Sequence, residues 1–177
     1  MKGIYLASFK AYHPNYDLVY QDINGQRDIG GDMMEIDLTP YDFIIATPPC
    51  NWWSRANYRR NESAYSLKTK HLLIDILDKL SSMNVPWIVE NVQNKKQFEL
   101  HGLFNHQCYI YFIGRHTYWS NIKFEHDDII QIAKSDIMNG KKRWLSSQNL
   151  SRNKRQGGKD VHEVIERFLE VIHDKNN

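Results

Sequence analysis

The chain has no apolar run approaching the roughly 20 residues that cross a membrane as a helix. Its two cysteines, Cys50 and Cys108, are too few for a disulfide framework. A reducing, cytoplasmic setting is the simpler expectation, and there Cys50 stays a thiol. Residues 1–10 hold too short an apolar core to read as a signal peptide. The formal net charge is only +2, so total charge says little about partners, although its distribution says more. The histidines (His13, His71, His101, His106, His116, His126, His162 and His173) do not group with cysteines at zinc-ligand spacing, and no metal is expected. Internal repeats and low-complexity segments are also missing. Hydrophobic residues at 41% and charged residues at 25% of a 177-residue chain describe one ordinary domain with a core of its own.

What is present is organised around residues 44–57, Ile-Ile-Ala-Thr-Pro-Pro-Cys-Asn-Trp-Trp-Ser-Arg-Ala-Asn. Phe43-Ile44-Ile45-Ala46 has the continuous apolar character of a buried parallel strand. Pro48-Pro49 ends it, because proline gives no N–H to a sheet ladder. Cys50 then stands just past the carboxyl end of a central strand, where open α/β sheets bind ligands. A second apolar strand, Trp87-Ile88-Val89, leads into Glu90-Asn91-Val92. Between the two, residues 63–82 predict one long helix, with Leu67, His71, Ile74, Leu77 and Leu80 at three- and four-residue steps and His71 in the core. Strand, helix, strand is a βαβ unit, which argues for an α/β sheet and brings both strand ends to one edge.

Further strands are expected over residues 3–9, 16–23, 108–114 and 117–124. The first two are joined by residues 10–15 alone, too short for a crossover helix, so they are expected to form an antiparallel hairpin or not to be neighbours. A closing helix is expected over residues 160–173, capped by Asp160, with Val161, Val164, Ile165, Phe168, Leu169 and Ile172 on its apolar face.

Three constellations carry chemistry. Cys50 and Glu90 converge on one sheet edge. A thiolate is a soft nucleophile that adds to an electron-poor carbon, and a neighbouring carboxylic acid can protonate the ring nitrogen of that acceptor. As an isolated pair they read more readily as a structural cysteine and a surface glutamate; the flanking sequences favour a shared pocket. The second is basic: Lys141, Lys142, Arg143, Arg152, Lys154, Arg155 and Lys159 fall in a tract without acidic residues, interleaved with Trp144, Gln148, Asn149 and Asn153. Such a mix neutralises phosphates and reaches base edges, or is a solvated loop. The third is Trp52, Trp53, Arg55, Tyr58, Arg59 and Arg60, either a stacking and phosphate surface or a packed loop.

Thr-Pro-Pro-Cys-Asn-Trp-Trp-Ser (residues 47–54) resembles the catalytic Pro-Cys motif of cytosine-C5 DNA methyltransferases. Val89-Glu90-Asn91-Val92 resembles their Glu-Asn-Val motif. Gly31-Asp32-Met33 resembles the acidic element before the Pro-Cys strand, and residues 115–121, Arg-His-Thr-Tyr-Trp-Ser-Asn, the arginine-rich strand motif. Residues 156–161 are similar to the entry to the last helix. The order along the chain matches as well. The resemblance implies a truncated class I (Rossmann-like) methyltransferase sheet flanked by helices, with residues 122–156 as a very small recognition insert in a single domain. It implies DNA as partner and S-adenosylmethionine as cofactor, in a compact, phage-like version of the family. Cys50 would add to C6 of a flipped cytosine, helped by Glu90 at N3, with Arg115 holding the base or its phosphate and His116 competing for that alignment. Asn51, Trp52, Ser54 and Arg55, with Lys141, Lys142, Arg143, Arg152, Lys154 and Arg155, would contact DNA. Phe9, Asp22, Asp32 and Pro48 would hold the cofactor, and Asn91 would hold the turn.

One element departs from the family. Its first strand ends in a Phe-x-Gly-x-Gly turn, whereas this chain runs Phe9-Lys10-Ala11-Tyr12-His13-Pro14, without glycine. Asp22 and Asp32 read equally as turn carboxylates. The cofactor site is then rebuilt, completed by a second chain, or lost. The alternative to an enzyme is a methyltransferase-like module gripping nucleic acid or a host protein. A third reading is a cysteine enzyme acting on a free pyrimidine nucleotide.

Overall fold

Strand β1 (Gly3–Leu6) lies third from one edge of an eight-stranded sheet. A computed structural model describes residues 1–7, 13–113, 115–124, 130–132 and 157–174. In chain order the other strands are β2 (Leu18–Asp22), β3 (Ile29–Gly30), β4 (Phe43–Ala46), β5 (Trp87–Val92), β6 (Tyr109–Ile113), β7 (His116–Ser120) and β8 (Ile130–Ile132). The sheet order is β3-β2-β1-β4-β5-β7-β6-β8. Strands β1 to β5 run parallel to their neighbours, and β7 enters antiparallel between β5 and β6. The parallel half, 3-2-1-4-5, has the order of a doubly wound nucleotide-binding sheet.

Alternation along the strands supplies both faces with apolar side chains. Ile4, Leu6, Ile44, Ala46, Trp87, Val89 and Trp119 share one core with helix α2 (Leu72–Ser81), which offers Leu73, Ile76, Leu77 and Leu80. Those positions fall at i, i+3, i+4 and i+7, one stripe of an α-helix. Short helix α3 (Lys95–Leu100) adds Phe98 to that face. Tyr5, Phe43, Ile45, Ile88 and Tyr118 face the other way, against Val164, Ile165, Phe168, Leu169 and Ile172 of the last helix, α4 (Gly157–Asp174). Each such side chain contributes roughly 1.5–3 kcal/mol on burial, so α4 is bound to the sheet by its own apolar stripe. No helix among the described residues is long and apolar enough to cross a membrane.

Several expectations give way here. β1 and β2 are parallel neighbours, Gly3 opposite Leu18, and not a hairpin. Both strands are shorter than their apolar sequences suggest, so the link spans residues 7–17 and has the length a parallel connection needs. The long helix is two: α1 (Ala64–Lys68), capped by Ser63, and α2. The break is at Thr69, whose hydroxyl donates to the Tyr65 carbonyl at 2.9 Å, a back-bond that competes with continuing the helix. His71 consequently sits exposed at the start of α2 and not in the core. α4 begins at Gly157, placing Asp160 inside its first turn and not at the cap. Of the expected recognition segment, residues 125–129 and 133–156 lie outside the described residues.

Candidate functional site

Strand β5 overhangs its neighbour. Its pairing with β4 stops at Ala46 opposite Val89, and Glu90, Asn91 and Val92 continue paired only to β7. The chain leaving β4 turns through Pro48-Pro49 into this notch. Asn91 holds it there: its side-chain N–H donates to the Pro48 carbonyl at 3.0 Å in a buried position, while its Oδ1 accepts from the Val92 N–H at 2.9 Å. Pro48 therefore spends its carbonyl on the turn and is itself buried.

Cys50 is half-buried at this edge. Burial, and second to it the negative charge of Glu90, push its thiol above the ordinary range. The two residues share one end of the sheet, Cys50 following β4 and Glu90 standing at the end of the adjacent β5. Glu90 projects with Ile88 toward the α4 side of the sheet, being two residues along the same strand. Across the ladder it stands opposite Tyr118, and diagonally it meets His116, Nδ1 to Oε1 at 2.5 Å. Tyr5 completes the wall. Its phenol is bonded to Thr47 and pushed far up, by burial first and then by the Glu90 charge.

Arg115, expected to hold the base, is exposed on the β6–β7 turn, and its carbonyl accepts from the Gln93 N–H at 2.7 Å. The partner of Glu90 is the next residue, His116. The signal was the two-residue alternation of β7, which sets 116 and 118 on the face that Glu90 shares.

The loop after Cys50 is knitted by its own side chains. Ser54 N–H donates to the Cys50 carbonyl at 2.8 Å, Asn57 Nδ2 to the Asn51 carbonyl at 2.9 Å, and Arg60 Nη2 to the Ser54 carbonyl at 3.0 Å. Asn94 Nδ2 donates to the Trp53 carbonyl at 2.7 Å. Trp52 and Trp53 are core residues, at 8% and 0% exposure, so Trp52 does not offer a stacking surface to DNA. The two tryptophans serve packing, Trp53 lying 5.4 Å from the Phe98 ring and the Lys70 ammonium 4.9 Å from the Trp52 ring, whereas Tyr58 is 83% exposed beside the exposed Arg59. Asn51 and Arg55 are exposed and Ser54 half-exposed at the rim. The Lys95 ammonium lies 4.6 Å from the Phe112 ring, and burial, with the Arg55 charge second, pulls its pKa down to about 8.

The carboxylates expected to hold a cofactor are engaged locally. Asp22 is buried at the end of β2, and its Oδ1 accepts from Asn24 N–H at 2.6 Å and Gln26 N–H at 3.2 Å. Asp32 Oδ1 accepts from Met34 N–H at 2.9 Å. Where a glycine turn would follow β1, Ala7 adopts φ 58° and its N–H donates to Gln21 Oε1 at 2.8 Å. That N–H is therefore already used within the fold, as are oxygens of Asp22 and Asp32, the carboxylates expected to hold S-adenosylmethionine. Phe9 lies outside the described residues, as do Lys141, Lys142, Arg143, Arg152, Lys154 and Arg155.

The histidines, dispersed in sequence, are not all dispersed in space: His13 and His162 meet at Glu166. No family model and no curated protein matches this chain.

Proposed function

We propose that the notch at the ends of β4 and β5 is a pyrimidine site of the cytosine-C5 DNA methyltransferase type, in which Cys50 adds to C6 of a cytosine flipped from DNA. The observation that carries this reading is the placement of Cys50 and Glu90 at the shared carboxyl edge of the adjacent parallel strands β4 and β5. The sheet order, with a reversed strand between β5 and β6, is compatible with the methyltransferase fold this implies.

The chain's own residues account for the addition step. The Cys50 thiol loses its proton to Glu90, whose carboxylate is hydrogen-bonded to the His116 imidazole. Once Glu90 is neutral, its opposition to the thiolate disappears. The sulfur forms a bond to C6, the C5–C6 π pair moves to C5, and the proton passes from Glu90 to N3. C5 then takes a proton from solvent. Reversal removes a proton from C5, breaks the S–C6 bond and returns the N3 proton to Glu90. His116 in place of an arginine gives the pair a group that can accept and release a proton, which a guanidinium does not. The exposed Arg55, on the loop that follows Cys50, is a cation that could neutralise a DNA phosphate.

Duplex DNA carrying 5-azacytosine tests this directly. Its C6 is more electron-poor than that of cytosine, and a proton at N5 closes the adduct without a methyl donor. A covalent protein–DNA complex is expected with the native chain and not with Cys50→Ser. Absence of the adduct with the native chain overturns the proposal.

The absence of a glycine turn after β1, with the Ala7 N–H already bonded to Gln21, supports a second reading: a methyltransferase-like module that binds a pyrimidine or a host protein without transferring a methyl group. Calorimetry with S-adenosylmethionine and S-adenosylhomocysteine separates the two. Heat of binding favours the transferase; its absence, together with adduct formation, favours the module.

A further inference from the structure

The chain following β1 and the last helix meet at a cluster that the Cys50 chemistry does not use. His13, from residue 13 of the chain, meets His162 and Glu166, one turn apart on α4. One Glu166 carboxylate oxygen, Oε1, is bonded to His13 Nδ1 and lies 3.6 Å from His162 Nε2. The two imidazoles stack nearly parallel, centroids 4.4 Å apart and planes inclined by 10°. His13 is 1% exposed; its backbone N–H is held by the Tyr20 hydroxyl at 2.8 Å and its ring lies against Tyr5. A hydrogen-bonded His–Glu pair needs only one imidazole. Here a second is laid on the first, around the same oxygen, which two protonated rings would resist and one bound cation would favour.

We propose that His13, His162 and Glu166 form a binding site for a single divalent metal ion of the zinc class, tying α4 to the chain that follows β1. Two imidazoles and one carboxylate are a donor set that zinc and its neighbours take, whereas magnesium and calcium prefer oxygen alone. The three ligand atoms lie within 4.8 Å of one another. Ligands placed tetrahedrally about one zinc at about 2.0–2.2 Å are separated by about 3.3–3.6 Å, so side-chain adjustments of roughly one ångström complete the site. His162 is about half exposed and free to make them. Three protein ligands leave a coordination position for water, as in open zinc sites.

The test uses the full chain stripped with a chelator and dialysed against Zn2+, Co2+, Mg2+ or Ca2+, with bound metal measured by mass spectrometry. A single Zn2+ or Co2+ per chain is expected, with visible cobalt absorption, and no uptake of Mg2+ or Ca2+. Both His162→Ala and Glu166→Gln are expected to weaken zinc binding by roughly tenfold or more, in the range that loss of supporting groups alone already costs. Both positions lie toward the solvent side of α4, and circular dichroism confirms that the variants fold. Cys50→Ser is expected to bind zinc like the native chain, which keeps this result independent of the pyrimidine proposal. Failure to take up zinc, or zinc retained undiminished by both helix variants, overturns the site and leaves a hydrogen-bonded trio. Zinc lost in Cys50→Ser overturns it as well, since the ion would then be bound through the thiol.

Discussion

Removing the Asn91 side chain tests whether the notch is held as described. Asn91 is 1% exposed, and Asn91→Ala strips the Pro48 carbonyl of its donor and the Val92 N–H of an acceptor. A buried polar group left without its partner costs about 1–3 kcal/mol. With both affected and the Val92 N–H at the less buried end of the strand, about 2 kcal/mol is expected, which is about 4–8 °C in Tm for a domain of this size. The matched control is Asn51→Ala. Asn51 is exposed and contributes its backbone carbonyl, not its side chain, to Asn57, so its change should stay within about 0.5 kcal/mol. The same loss should register at the sulfur. Pro48 is two residues from Cys50, and misplacing a reacting group by about 1 Å can cost about a hundredfold in rate. Thermal unfolding followed by circular dichroism gives the first number and the rate of 5-azacytosine adduct formation gives the second. If Asn91→Ala melts with the control and reacts at the native rate, the loop carrying Cys50 is positioned by something else.

Two further changes read the electrostatics. Glu90→Gln removes the negative charge that, after burial, raises the Cys50 thiol, so the pH profile of Cys50 alkylation should move toward lower pH while adduct formation with DNA slows for want of a proton donor to N3. An unmoved alkylation profile would contradict the contact. Lys95 is pulled from its ordinary 10.5 to about 8, by burial first and by the Arg55 charge second. Between those values the unfolded chain carries more protons than the folded one, so this residue makes stability rise with pH through that window. Lys95→Met should therefore unfold at higher urea than the native chain at about pH 7, with the difference shrinking toward about pH 10; a difference constant with pH would show that charge is not the cause.

Much of the candidate site was legible in the sequence. Pro48-Pro49-Cys50 and Val89-Glu90-Asn91 announced two strand ends on one edge, because continuous apolar runs report parallel strands and proline reports where they stop. The apolar stripe of α4 was legible for the same local reason. The loop at residues 51–62 was not. Tryptophan beside arginine suits a nucleic-acid surface and a packed loop alike, and only the tertiary structure divides the group, burying Trp52 and Trp53 under Lys70 and against Phe98 and leaving Arg55, Tyr58 and Arg59 exposed. Between Arg115 and His116 the sequence left the alignment open; the two-residue alternation of β7 puts His116, not the turn residue Arg115, beside Glu90.

By itself the sequence determined which segments are apolar, where they end and which chemistry stands at the ends, since those follow from side-chain type and spacing over a few residues. Only the tertiary structure decided that β1 and β2 run parallel, that His116 meets Glu90, and that His13 reaches Glu166 across 153 positions of chain. Such pairings depend on which surfaces close over a shared core, and local periodicity carries no record of that choice.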